Sequence, residues 1–318
     1  MMTIHEFTEE IKAKLNQYLP EELSHIECTT RMVTKNNNTM QVGIELKDPN
    51  KDLAPIIYME DYYQEYRSGR EMESIVPQVA ELYQTLGPED QFLEERDPQE
   101  YHSVKDRITV RLVNAKANLQ DLAMVPHRKI EDLAMIYQVA LSDIHDQGHA
   151  SIKVTNALME LWGVDEATLH EAAMENTKEL FPPSFSGMSS ILQEMIPEGA
   201  FSDAGSFITA EEDIMYVLSN AGKINGAAMI LYPEVLDGVS KALQEDYYIL
   251  PSSIHEVIIV PKSKAMSPKE LGEMVREINR TEVSKDEILS DRIYEYDKEA
   301  KTFHQVKESM ERSKGMER

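Results

Sequence analysis

Phe7, Ile11, Leu15 and Tyr18 recur at helical spacing behind Thr3 and Glu6, the threonine–glutamate pair of a capping box. A helix therefore opens the chain, and Pro20 ends it. Strands at 26–34 and 40–46 flank Lys35-Asn-Asn-Asn-Thr39, and asparagine tolerates the left-handed backbone of a hairpin turn. A short strand at 55–58 and helices at 59–67 and 72–86 follow. The break at Gly87-Pro88 leads into an acidic, helical 91–102. Residues 107–113 alternate as a strand, and 118–125 make a short helix. Over 130–143, Leu133, Met135, Tyr137, Val139 and Leu141 fall at period two, which predicts a half-buried strand with 151–154 as hairpin partner. Helix competes there, because Leu, Met and Ala favour it. Residues 156–162 and 165–180 are helices, with Leu158, Leu161 and Trp162 in the core.

From 214 onward one unit recurs: two short strands, then an amphipathic helix. Strands at 214–219 and 226–231 precede a helix opened by Pro233, with Val235, Leu236, Val239 and Leu243 as its stripe. Strands at 247–250 and 255–260 precede a second helix. There Ser267-Pro-Lys-Glu270 is a capping box, and Leu271, Met274, Val275 and Ile278 follow. Strands at 292–296 and 302–306 close the series. The pattern predicts an α+β fold: antiparallel sheets built from hairpin-helix (ββα) units, helices packed mainly on one face. Residues 1–186 are expected to form an acidic, tyrosine-bearing N-terminal α+β domain. Residues 187–213, rich in glycine and serine, would be a linker or boundary, and 214–318 a C-terminal ββα-ββα-ββ domain.

The 318 residues have ordinary apolar content, 42%, and a net charge of −25. Such charge argues against direct nucleic-acid binding, whose affinity comes from basic groups on phosphates. Twelve acids against three arginines over 60–100 supply much of it. That segment reads as a solvated face, with a surface for a basic partner or a mimic of nucleic acid as the alternative. No apolar run is long enough for a membrane span, and the N-terminus lacks the apolar core of a secretory signal. The single cysteine, Cys28, fits a reducing cytoplasm. The 18 methionines are expected mostly to fill core gaps.

Several segments together resemble the bacterial family catalogued as DUF5688, a domain of unknown function. They are Ile57-Tyr-Met-Glu-Asp-Tyr-Tyr63 with Tyr66, Arg111-Leu-Val-Asn114, Val125-Pro-His-Arg128, Asp132-Leu-Ala134 and Leu161-Trp-Gly163. Further on are Ala173-Met-Glu-Asn-Thr177, Leu180-Phe-Pro-Pro183 and Tyr248-Ile-Leu-Pro-Ser-Ser-Ile-His-Glu-Val257. The resemblance spans nearly the whole chain and implies a cytosolic bacterial origin. It carries no catalytic residues across.

Ser252, Ser253, His255 and Glu256 have the side-chain types of a nucleophile, a base and an orienting carboxylate. Neighbouring strand residues diverge, however, and no nucleophile-elbow glycines flank either serine. The segment reads as a hairpin turn beside a binding pocket. Asp143, His145 and His149 could share a divalent metal, but pairing Leu141 with Val154 sends His149 to the other face. His127, Arg128 and Asn114, at strand ends, could hold an anion. Tyr62 and Tyr66, with Tyr58 and Tyr63, make an aromatic patch rimmed by acids, suited to core packing or to a peptide. The expectation is a non-enzymatic cytoplasmic binding or regulatory protein with an unknown protein or peptide partner and no membrane, cofactor or metal. A hydrolase or small-molecule enzyme using Ser253, His255 and Glu256 is the first alternative. An acidic DNA-mimic decoy is the second.

Overall fold

A computed structural model describes residues 2–49, 54–85, 96–141, 151–195 and 213–307. The chain divides into two compact units, Met1–Glu95 and Arg96–Arg318.

In the first unit, α1 (Ile4–Leu15) starts on the expected capping box, with the Thr3 side chain accepting from the Glu6 amide and the Glu6 carboxylate from the Thr3 amide. β1 (Glu27–Thr34), β2 (Met40–Lys47) and β3 (Ile56–Tyr58) form an antiparallel sheet in that order. The turn between β1 and β2 holds Asn37 and Asn38 at φ 57° and 55°, the left-handed conformation that asparagine tolerates. α2 (Glu60–Arg67) and α3 (Met72–Thr85) follow. Glu60 accepts the Val42 amide at 2.7 Å, which ties the start of α2 to β2. Phe7, Ile11 and Leu15 of α1, Ile44 and Leu46 of β2, and Ile75 and Val76 of α3 are fully buried in one core.

The second unit begins with α4 (Tyr101–Val104), β4 (Ile108–Asn114) and α5 (Leu119–Leu122). β5 (His127–Ile130), β6 (Leu133–Ala140) and β7 (Ser151–Lys153) come next. β6 is central to this antiparallel sheet, with β4 on one side and β5 and β7 both paired to it. α6 (Asn156–Trp162) and α7 (Glu166–Leu180) follow. α7 covers the open edge of β4, where the Thr177 hydroxyl oxygen accepts the Val110 amide and the Asn176 amide group donates to Lys105 O and Ile108 O. The remaining elements are β8 (Pro183–Gly187), α8 (Met188–Met195), β9 (Tyr216–Asn220), α9 (Pro233–Leu243), β10 (Tyr247–Leu250), β11 (Val257–Pro261), α10 (Pro268–Thr281), β12 (Tyr294–Asp297) and β13 (Thr302–Gln305). Their six strands form an antiparallel sheet in the order β13-β12-β10-β11-β9-β8. α10 carries the expected Ser267–Glu270 capping box, and among the described residues no helix is long and apolar enough to cross a membrane.

The architecture is α+β with antiparallel sheets, as the pattern predicts, but four local expectations fail. Residues 226–231 are a buried 3-10 helix instead of a strand; a short, wholly apolar run has no periodicity to tell the two apart. β9 pairs with β8 instead, so the strands flanking 187–213 are sheet neighbours and that segment does not separate the two compact units. β6 is buried along its whole length, so it is not half-exposed, and Val139 faces Ile152 where Leu141 was expected to align with Val154. α6 has no buried residue and Leu161 is exposed, while Trp162 is only half-buried, its indole donating to Pro98 O. Several methionines, among them Met32, Met40, Met124 and Met266, are also exposed.

Candidate functional site

The first unit carries an open cleft of about 600 Å3. Glu10 and Lys14 project from α1 on one side, at the i, i+4 spacing that puts them on a single helical face. Tyr66, Arg67, Gly69, Arg70 and Met72 line the other side, from the end of α2 into α3. Gly69, at φ 102°, makes the bend between the two helices, a backbone conformation that L side chains rarely adopt. The Lys14 ammonium spans to Glu73 at 3.3 Å, and Arg70 pairs with Glu65. Tyr66 belongs to both core and cleft: its ring lies 5.2 Å from Phe7 and 6.5 Å from Tyr63, centroid to centroid. Tyr62 is half-buried against the same core, and burial, reinforced by Glu65 and Asp61, pushes its phenol above the ordinary value. The tyrosine patch is thus mainly packing, with Tyr66 as its contribution to the cleft.

The second unit holds a polar seam. Paired residues of neighbouring strands share a face, so the registers place Thr109 beside Gln138 and line up Arg111, Ile136 and His127 in the next row. Thr109 and Gln138 are buried and, with Thr177, Asn220 and Asn225, line a void of about 10 Å3, the scale of one water molecule. The Asn225 amide donates to His255 Nδ1 at 3.2 Å. That bond makes Nδ1 the acceptor, so the neutral ring carries its proton on Nε2, which lies 3.5 Å from the Glu287 carboxylate. Burial lowers the His255 pKa, opposed by the Glu287 charge and reinforced by Arg111. Burial also lowers the Arg111 pKa against the fields of Asp286, Asp121 and Glu287, and the Arg111 Nε is buried without a hydrogen-bond partner.

This arrangement is not a nucleophile–base–acid relay. The Ser253 hydroxyl oxygen accepts the His255 backbone amide at 3.0 Å, a local turn bond, while Asn225 and Glu287 partner the ring. The Ser252 carbonyl receives the Leu289 amide, and Glu256 acts on the imidazole only through its field. His127 and Arg128 are successive residues of β5 and so point to opposite faces. His127 Nδ1 is 3.0 Å from Val125 O, and Arg128 pairs with Glu166 at 2.8 Å. The Asn114 amide group donates to Leu289 O, and its oxygen accepts the Lys116 and Ala117 amides, so its role is structural. The expected joint anion site of His127, Arg128 and Asn114 is not assembled. Asp143, His145 and His149 lie outside the described residues. Among those described, no cluster of three or more His, Cys, Asp or Glu could hold a metal ion.

Sequence reasoning missed Arg111, Asn225 and Glu287 as companions of His255. A charged residue inside the apolar alternation of 108–113 was the available signal for Arg111. The partners of His255 lie 30 and 32 positions away and have none.

With His255 held neutral, stability should fall as pH drops through the histidine range. An unfolded chain takes up this proton near pH 6.5, whereas the folded ring resists it until lower pH, so protons favour unfolding. Urea midpoints at about pH 7.5 and about pH 5.5 should differ less in His255→Asn than in the parent. An equal drop in both would remove His255 from the effect.

A family model described as a family of unknown function, DUF5688, matches residues 4–298. Comparison with curated proteins and with solved structures finds no match.

Proposed function

We propose that this chain, which belongs to the DUF5688 family, is a cytoplasmic binding protein that holds an extended peptide segment of a partner protein without transforming it. The observation that carries this reading is the cleft of about 600 Å3 in the first unit. Its volume falls within the range of ligand sites, about 300–1,000 Å3. Its lining supports a peptide over a compact apolar ligand. Tyr66 offers apolar surface above the buried Met72, while Lys14, Arg67 and Arg70 alternate with Glu10, Glu71 and Glu73. Charges of both signs at a solvent-open groove favour a chain that carries charges of its own and set its register. The net charge of −25 would steer basic segments toward the protein and repel nucleic acid.

A random-peptide display selection on the whole protein tests this, with Lys14→Glu/Arg70→Glu as counter-screen. Selected peptides should bind the charge-reversed protein about tenfold more weakly, roughly 1.4 kcal/mol. Failure to enrich any peptide, or equal binding to both proteins, would overturn the proposal. The Ser253, His255 and Glu256 region is the reserve reading as an enzyme, and nothing in its geometry favours it over the cleft.

A further inference from the structure

The eight residues of β1 pair with β2 without a bulge, from Glu27 opposite Lys47 to Thr34 opposite Met40. Among the described residues β1 has no partner on its other side. Edge strands are ordinarily protected by proline, charged side chains, a bulge or short length. Within Glu27–Thr34 there is no proline and no bulge, and the two charges, Glu27 and Arg31, are of opposite sign and so suit a self-pairing edge. The hydrogen-bond phase says which groups are open. The Lys35 amide donates to Thr39 O, while the Thr39 amide turns to Asn36 O, so the bonding phase of the ladder falls on Lys35. Bonded residues alternate along an antiparallel ladder, and therefore Val33, Arg31, Thr29 and Glu27 bond to β2. Cys28, Thr30, Met32 and Thr34 point their amides and carbonyls outward. The bonds on the far side of β2 agree, since Val42 and Leu46 bond to the β3 side through Met59 and Pro55.

We infer that β1 is a self-complementary edge through which two copies of this chain pair antiparallel, with Thr29 on the two-fold axis, to make one six-stranded sheet. A two-fold contact requires each residue and its opposite to suit each other in both directions. With Thr29 facing the partner's Thr29, Cys28 lies opposite the partner's Thr30. Both have outward backbone groups, so the two equivalent pairs supply four hydrogen bonds. Glu27 then lies opposite the partner's Arg31, and Arg31 opposite the partner's Glu27, in non-hydrogen-bonded pairs where side chains approach most closely. Shifting by one pair in either direction loses this match. Centred on Arg31, the contact would set two guanidinium groups against each other. The charged face continues across the sheet, because Glu27 is paired with Lys47, and Arg31 reaches Glu45 at 2.8 Å. Met32, 64% exposed, lies just beyond the paired core and would be covered by the partner strand.

Sedimentation equilibrium of the full chain over a wide concentration range should show a monomer–dimer equilibrium. Thr30→Pro removes an outward amide and leaves the β2 ladder intact, so it should give monomer throughout with an unchanged circular dichroism spectrum. Glu27→Arg and Arg31→Glu should each weaken the dimer, and mixing the two proteins should restore it by re-forming both charge pairs. Thr29→Cys in a Cys28→Ser background should cross-link on mild oxidation, because non-hydrogen-bonded partners stand about 4.5 Å apart at Cα, within disulfide reach. Val33→Cys in that background should not. A parent chain that stays monomeric at every concentration would overturn the inference. So would a dimer that survives Thr30→Pro, or a charge-swapped mixture that fails to associate.

Discussion

Replacing Gly226 with alanine should destabilise the second unit by about 3 kcal/mol, at the upper end for forcing atoms into a filled site. A Cβ at this position would stand 2.2 Å from Ser219 Oγ, 2.6 Å from His255 O and 2.7 Å from Asn220 N. A hydroxyl can rotate away, but the other two are backbone atoms. They belong to β9 and to the connection entering β11, which are locked together by the Val257–Leu218 pairing. Relief therefore means parting the 3-10 helix from the sheet, which would also draw the Asn225 amide off His255 Nδ1. Denaturant unfolding reads the effect as a lower midpoint at unchanged slope. Gly238 is the internal control. It lies inside α9 with nothing within 4 Å of its would-be Cβ, and Gly238→Ala should gain about 0.5–1 kcal/mol. If both variants unfolded together with the parent, the close approach at Gly226 would be wrong.

Asp132→Ala should cost a similar amount, roughly 3 kcal/mol, because it strands two buried hydroxyls at about 1–3 kcal/mol each. Asp132 sits in the turn between β5 and β6, beside Glu131 at φ 55°. Its Oδ1 accepts the Tyr294 hydroxyl at 2.5 Å, and its Oδ2 accepts the Ser290 hydroxyl at 2.7 Å. Tyr294 has no solvent exposure, and burial together with the Asp132 charge holds its phenol protonated. The Ser290 hydroxyl oxygen also accepts the Arg292 amide, and Asn279 donates to Ser290 O, so the carboxylate anchors the approach to β12. Asp132→Asn keeps one acceptor and can donate to Ser290, so it should cost clearly less. A double-mutant cycle with Tyr294→Phe should show strong coupling. Strict additivity would mean that the two side chains do not act together.

The Asp132 anchor also shows why the domain reading from sequence failed. Residues 114 and 132 precede the glycine- and serine-rich segment at 187–213, and Leu289, Ser290 and Tyr294 follow it. The composition of that segment suggested a hinge, yet bonds across more than 150 positions make one unit of its two sides. His255 illustrates the same limit at a site. The strand expected over 255–260 starts only at Val257, so His255 and Glu256 lie in the bend before it, and strand alternation could not indicate that the ring would be met by Asn225 and Glu287. The cleft was legible only in part: Tyr66 stood out as an aromatic at helical spacing, whereas Lys14 and Arg70 looked like ordinary surface charges.

Some features are set by residues within four positions of each other, and these the sequence determined by itself: the two capping boxes, the asparagine turn, the helix start at Pro233, and the strand and helix segments that make the fold α+β. Each is a local contest among backbone hydrogen bonds, steric limits and apolar periodicity, and all its participants are adjacent in the chain. Only the tertiary structure decided that β9 pairs with β8, that 226–231 coils into a buried 3-10 helix, that Asp132 holds Tyr294, and that β1 has no second partner strand among the described residues. Those outcomes depend on which distant surfaces bury one another. Burial rewards apolar contact without regard to sequence separation, so no local pattern encodes it.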